Sequence, residues 1–167
     1  MLKISIQLQQ ETSECGLACL AMISSAYGAA VNLSDVRRRF PLGTKKGTNF
    51  NQLTGYAAEF GFSARALRLE LEELKELQTP CILHWDLNHA VVLKSVRKKS
   101  VVLLDPAVGE RNLSMAEVSR HFTGVALELS PNGEFKSQAS APKVSLRAFD
   151  LPPPAVPAMR KSRLKVT

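Results

Sequence analysis

The sequence is poor in cysteine, has no long apolar run and carries no targeting segment, and each shortage removes a class of protein. Three cysteines, Cys15, Cys19 and Cys81, are an odd number without dense spacing. That argues against a disulfide scaffold, fits a reducing compartment and leaves a thiol free to react. No stretch approaches the roughly 20 apolar residues that cross a bilayer. The start of the chain, Met1-Leu2-Lys3-Ile4-Ser5-Ile6-Gln7, alternates apolar and polar side chains, unlike a secretory signal. No internal repeat is present. The expectation is a soluble chain that stays where it was made.

What is there is enough for one domain: 167 residues, 45% of them hydrophobic, can bury a core. The net charge of +7 is unevenly spread. From Lys136 onward seven Lys or Arg face a single acid, Asp150, so the tail carries +6 and residues 1–135 about +1. The body therefore lacks the basic face that nucleic-acid binding needs. The tail fits either contact with an anionic membrane surface or plain solvation. Its Lys, Ser, Ala and Pro composition, with Pro152-Pro153-Pro154, predicts an extended or disordered segment. The domain boundary falls near residue 135, giving a body over 1–135 and a basic, Pro-rich tail or linker over 136–167.

Along the body, Leu2 to Leu8 reads as a short strand or extended entry. A polar stretch then leads into the apolar run from Cys15 to Tyr27, a buried helix with small residues for close packing and Gly28 as its stop. Ser34-Asp35 can cap a short helix through Phe40, and Leu42 to Gly47 is a loop. Thr48 or Asn49 can cap another helix through Phe60. Phe62–Leu67 reads as a strand and Leu69–Leu77 as a helix. Cys81–Trp85, Ala90–Val96 and Val101–Asp105 form a meander of β-branched runs. Ser114 caps a helix through His121, and Gly124–Leu129 is the last strand. Helices first and an antiparallel sheet afterwards make an α+β domain.

A thiol nucleophile needs a neighbour that favours its thiolate, an imidazole fixed in orientation and donors for an oxyanion. Cys15 falls in the first turn of a helix, where free N–H groups and the macrodipole favour a negative sulfur. Gly16 leaves its backbone open. Gln9, six residues earlier, carries an amide that can donate. His89 begins one strand and Asp105 ends the next, across a hairpin. Taken singly, each has an ordinary explanation: a core cysteine, a satisfied histidine, a turn-forming Asp-Pro.

The residues Gln9-Gln10-Glu11-Thr12-Ser13-Glu14-Cys15-Gly16-Leu17-Ala18-Cys19 resemble the cysteine motif of the bacteriocin-processing peptidase domains found in peptidase-containing ABC exporters. Trp85-Asp86-Leu87-Asn88-His89-Ala90-Val91-Val92-Leu93 resembles their histidine motif and Leu104-Asp105-Pro106-Ala107-Val108-Gly109 their aspartate motif. The resemblance covers roughly residues 4–130. It implies a papain-like fold and cleavage of leader peptides after a double glycine, coupled to export. It implies Cys15 as nucleophile, His89 as general base and acid, Asp105 as its orienting partner and Gln9 as oxyanion donor, with Gln10 the competing glutamine. It implies a leader peptide as partner, the membrane and ATPase domains of an exporter as further partners, and a cytoplasmic location at the inner face of the membrane. No nucleic acid, cofactor or metal is called for. A non-cleaving module that docks leaders for a partner transporter is the alternative, disfavoured by the complete set of four residues.

Several residues carry plainer expectations. Cys15, Cys19, His84 and His89 could gather round a zinc ion, but no Cys-x-x-Cys pair exists and Cys19 sits in an apolar run. Core packing suits Cys19 and Cys81. Trp85 is either a cleft wall or a core aromatic, Asn88 a turn or supporting residue, and His121 a partner of its own helix dipole. Exporters of this kind continue into membrane and ATPase domains. This chain ends at Thr167 without a spanning segment or a Gly-Lys-Ser/Thr phosphate loop, and Val144–Phe149 resembles the start of the linker toward a membrane domain. An isolated domain, a truncated gene and a stand-alone peptidase beside a separate exporter all fit.

Overall fold

The computed structural model describes residues 2–40 and 47–137. The expected loop at 42–46 and the tail from residue 138 onward lie outside them. Residues 2–9 run extended without joining the sheet, with Ile4 turned into the core. A 3-10 turn, Thr12–Glu14, leads into α1, Cys15–Ala26. Every residue of α1 from Cys15 to Ser24 is buried, as befits a helix apolar on all sides. Gly28 ends it in the left-handed region at φ +99°.

Helix α2, Leu33–Arg39, is capped by Asn32 and not by the expected Ser34. The Asn32 side chain accepts the Asp35 N–H at 3.0 Å and the Asp35 carboxylate accepts the Asn32 N–H at 3.0 Å, so the reciprocal box places the cap two residues earlier than Ser34. Helix α3, Phe50–Glu59, is capped by Asn49 in the same way, with Gln52.

The sheet is wholly antiparallel and follows. Its strands are β1 (Phe62–Arg68), β2 (Cys81–Trp85), β3 (His89–Val96), β4 (Ser100–Asp105), β5 (Gly109–Ser114) and β6 (Phe122–Pro131), in spatial order β1-β6-β2-β3-β4-β5. A short helix α4, Met115–His121, joins β5 to β6 and is capped by Ser114 as expected. Between β1 and β2 the predicted helix is a 3-10 helix, Leu71–Glu76. Leu71, Leu74 and Leu77 recur every third residue and pack together on the core beneath; that spacing aligns on a threefold helix and drifts on a 3.6-fold one. Strand β5 is not legible as a strand: Gly109-Glu110-Arg111-Asn112 is polar, on the sheet edge, and buries only Leu113.

Alternation along the strands builds two cores. Ile82, Ala90, Val92, Leu104, Leu127 and Leu129 pack with α1, α2 and α3, whereas Leu83, Trp85, Val91, Leu93, Leu103 and Ala126 pack with Leu74 and with Val118 of α4. Both faces of the sheet are therefore covered. Beyond β6 the chain turns back over Gly61, and Phe135 completes an aromatic cluster with Tyr27 and Phe62 at centroid distances of 6.4 and 4.8 Å. This α+β architecture fixes the N-terminus of α1 beside the ends of β3 and β4.

Candidate active site

Cys15 is the first residue of α1, and the turn that presents it is wound round a buried carboxylate. Glu14 accepts the backbone N–H groups of Gln10 and Glu11 at 3.0 and 3.1 Å and is gripped from α2 by the Arg37 guanidinium, whose second nitrogen lies at 3.1 Å. Burial alone raises the Glu14 carboxyl, but the Arg37 bond and the two N–H donors outweigh it and hold it below the usual carboxylate range. The other wall of the turn is Gly47-Thr48. Gly47 sits at φ +75°, and a side-chain carbon there would lie 3.0 Å from the Ser13 carbonyl; one at Gly16 would meet Thr48 at 3.6 Å.

His89 opens β3 and Asp105 closes β4, neighbours in the sheet, and their side chains meet: Nε2 of His89 lies 2.8 Å from Oδ1 of Asp105. The Cys15 side chain acts on the same ring and favours its charged form. The Asp105 bond first, and the influence of Cys15 after it, keep the imidazole protonated up to about 9, against the opposing effect of burial. Asp105 is itself buried. Burial raises its carboxyl, while His89 and the Ala107 N–H at 2.9 Å outweigh this and hold it below its ordinary range. At neutral pH the geometry is thus an imidazolium between a carboxylate and a sulfur, charge-assisted on the carboxylate side.

Gln9 is tied to the same corner. Its backbone N–H donates to the Pro106 carbonyl at 2.9 Å, which lays the extended N-terminal segment along the Asp105-Pro106 turn. The Gln9 side-chain oxygen is buried with no partner among the described residues. The cleft itself, about 590 Å³, opens between Cys15 and His89 and the 47–52 segment, with Phe50, His84, Leu87 and Val125 as walls. Sequence reasoning named none of these walls as such. The Asn49 cap was the available signal, since it places Phe50 at the start of a helix beside the glycine-flanked loop.

Of the remaining candidates, His84 packs edge-on to Phe50 and its Nδ1 lies 2.7 Å from the Thr123 hydroxyl. Cys19 and Cys81 are fully buried in the two cores. Burial pushes both thiols well above their ordinary range, Cys19 further under the influence of the Cys15 and Asp105 side chains and Cys81 under that of Glu128. Among the described residues no group of three or more His, Cys, Asp or Glu stands together to hold a metal. Trp85 is a core residue at 1% exposure. His121 does more than meet its helix dipole: it stacks on Trp85 and bonds Asp86.

A buried thiol at a helix start, an imidazole and a carboxylate in sequence beside an open cleft define a hydrolase-like site on a mixed α+β frame, and the comparisons give the class its family. Residues 3–134 match the model of the peptidase C39 family, and the chain belongs to that family. The colicin V secretion/processing ATP-binding protein CvaB of Escherichia coli is 49% identical over 147 residues, which cover 88% of this chain and 21% of that protein. The probable microcin-H47 secretion/processing ATP-binding protein MchF of the same organism is 47% identical over the same shares. The chain thus spans about a fifth of the length of these relatives. Among solved structures, a double glycine motif protease from an AMS/PCAT transporter, in complex with its leader peptide, superposes with a TM-score of 0.73 at 37% identity, over 78% of this chain and 94% of that one. The peptidase domain of Streptococcus ComA shares the fold, at TM-score 0.69 and 24% identity over 78% of this chain and all of that one. The fold is papain-like.

Proposed function

We propose that this chain is a cysteine endopeptidase that cuts leader peptides after a double glycine, with Cys15, His89, Asp105 and Gln9 as its machinery. The observation that carries the reading is the 2.8 Å bond between His89 and the Asp105 carboxylate, with Cys15 and His89 both lining the one cleft. The Cys15 sulfur attacks the carbonyl carbon of the second glycine. The oxyanion forms beside the Cys15 N–H at the helix start and the Gln9 amide. His89 gives its proton to the departing amine as the carbon–nitrogen bond breaks, leaving a thioester. Water, losing a proton to His89, then adds to the thioester carbon; the carbon–sulfur bond breaks, the leader leaves as its acid and ionises, and the thiolate–imidazolium pair that began the cycle is restored. Asp105 keeps the ring oriented and favours its charged form throughout.

Glycine specificity follows from a cleft that is narrow beside Cys15 and refuses a substrate Cβ on steric grounds. Affinity then comes from contacts farther along the leader. Residues 1–135 make up the peptidase unit and 136–167 a basic linker or tail. The unit works on the cytoplasmic side, beside the membrane and ATPase domains of an exporter. Among the described residues no helix is long and apolar enough to cross a membrane.

Mass spectrometry of a double-glycine precursor peptide incubated with the reduced protein tests this. Cleavage after the second glycine, lost in Cys15→Ala while peptide binding persists, is expected. Binding without any cleavage by the wild-type protein would make the chain a leader-docking module instead.

A further inference from the structure

The turn that delivers His89 is strained. β2 and β3 pair up to Trp85 opposite His89, and three residues, Asp86, Leu87 and Asn88, connect them. Two of these three lie in the left-handed region without being glycine: Asp86 at φ +48° and Leu87 at φ +64°. Aspartate visits that region with modest difficulty, but leucine seldom does. Leu87 gains nothing from burial in return, since 81% of it is exposed. Two such residues in succession persist only where surroundings over-determine them.

The surroundings here converge on one side chain from outside the hairpin. His121, at the end of α4, places Nδ1 2.7 Å from the Asp86 carboxylate. Its backbone carbonyl accepts the Asp86 N–H at 2.9 Å. Its ring lies flat on the Trp85 indole, 5.4 Å between centroids at 14°. Trp85 is in turn the cross-strand partner of both His89 and Phe122, the residue after His121. His121 therefore touches both residues preceding the turn's apex, one by hydrogen bond and one by stacking, and the nearest rung of the sheet beyond them is His89. Nothing in cleavage chemistry requires a histidine at this place, and its bonds serve no other element.

We propose that His121 is a positioning residue of the peptidase: by clamping Asp86 and Trp85 it holds the left-handed turn that sets His89 against Cys15 and Asp105. The inference rests on the peptidase reading given above for its kinetic consequence, though not for its structural one. An imidazole displaced by a fraction of an ångström loses alignment with both partners at once, which is where remote substitutions are felt in catalysis.

The test compares the full chain as wild type, His121→Ala, His121→Asn, Asp86→Gly and the His121→Ala/Asp86→Gly pair, reading kcat on a double-glycine peptide and the NMR titration of the His89 ring. His121→Ala is expected to lower kcat by about ten- to a hundredfold and to shift the His89 midpoint down from about 9. His121→Asn, whose amide offers a donor where Nδ1 stands, recovers most of that loss. Glycine adopts the left-handed turn unaided, so His121→Ala costs far less in the Asp86→Gly background, where only the Trp85 stack is left to lose, than in the wild type. Losses that multiply in the pair, or an unchanged kcat and His89 titration in His121→Ala with only the melting temperature lowered, would overturn the clamp. Should His121→Ala fail to fold, His121→Phe keeps a ring on Trp85 and drops only the Asp86 bond: a kcat and His89 titration unchanged from wild type in that variant also overturn it. A wild-type protein that does not cleave refutes the peptidase reading alone, and the titration still decides the clamp.

Discussion

Replacing Asp105 by Asn separates charge from orientation at the imidazole. Oδ1 of Asp105 accepts both the His89 Nε2–H, at 2.8 Å, and the Ala107 N–H, at 2.9 Å, and an asparagine oxygen can accept both in the same place. The turn that anchors Gln9 through Pro106 is kept, and only the charge goes. In the wild type the imidazole stays protonated up to about 9 instead of 6.5, with the Asp105 bond the largest cause. At about 1.36 kcal/mol per unit, that difference corresponds to roughly 3 kcal/mol in favour of the imidazolium, for a ring only 18% exposed. Asp105→Asn should bring the midpoint back toward 6.5, with burial of the ring and the Cys15 side chain then acting in opposite directions. At pH 7.5 the protonated fraction then falls from nearly all to about a tenth, and kcat/KM falls about tenfold with it. At pH 5.5 most of the activity returns. The assay is the pH profile of kcat/KM for a double-glycine peptide, with the His89 ring followed by NMR. A loss of the same size at every pH, or an alkaline limb still near pH 9, would refute the view that the Asp105 charge keeps His89 protonated.

Other consequences are as direct. Because the His89 midpoint is raised on folding, its contribution to stability is complete below about pH 6.5 and disappears as pH rises through about 9. Urea unfolding at pH 6 and 9.5 should show wild type losing up to about 3 kcal/mol more than His89→Ala over that span. Arg37→Met leaves the buried Glu14 carboxylate with only the Gln10 and Glu11 N–H groups; with Arg37 one-third exposed, a destabilisation of about 1–3 kcal/mol is expected, with slower cleavage because the turn before Cys15 loosens. Gly61→Ala should be more damaging: φ there is +81°, and the new carbon would sit 2.4 Å from the Phe135 backbone. A loss of at least about 2 kcal/mol in chemical denaturation is expected.

Much of the fold was readable because local signals agreed with the final packing. The all-apolar run after Cys15, the Ser114 cap and the β-branched runs of the meander each had one reasonable interpretation, and of the two caps offered for the third helix, Thr48 and Asn49, the structure uses Asn49. Two elements escaped for physical reasons. β5 is an edge strand whose polar residues gain their pairing from β4 rather than from any pattern of their own. The Leu71–Glu76 segment has a helical composition but a three-residue apolar repeat, and tertiary contact settled the winding. At the site, the order Gln9, Cys15, His89, Asp105 was legible as a resemblance, whereas the His89–Asp105 contact needed the β3–β4 pairing to bring residues sixteen apart together. Glu14 fell within a stretch read only as polar; it is 2% exposed because its partner Arg37 arrives from a helix that no local window includes. The cleft walls and the His121 clamp are likewise contacts between distant segments, and no spacing rule in a single sequence encodes them.

Helix α1 separates two very different ends of the same core. At one, Cys15 opens the cleft; at the other, Tyr27 and Gly28 meet the returning chain at Phe135 and Ser137. Twelve residues of helix span about 18 Å. A handle, a fluorophore or a second protein joined directly at Ser137 therefore starts a helix-length from the reacting sulfur. The opposite attachment is less forgiving, since the extended segment from Ile4 runs directly to Gln9 and the corner of the site. An engineer fusing this unit to a cargo has good reason to use the far end of α1 as the handle and to leave the other end alone.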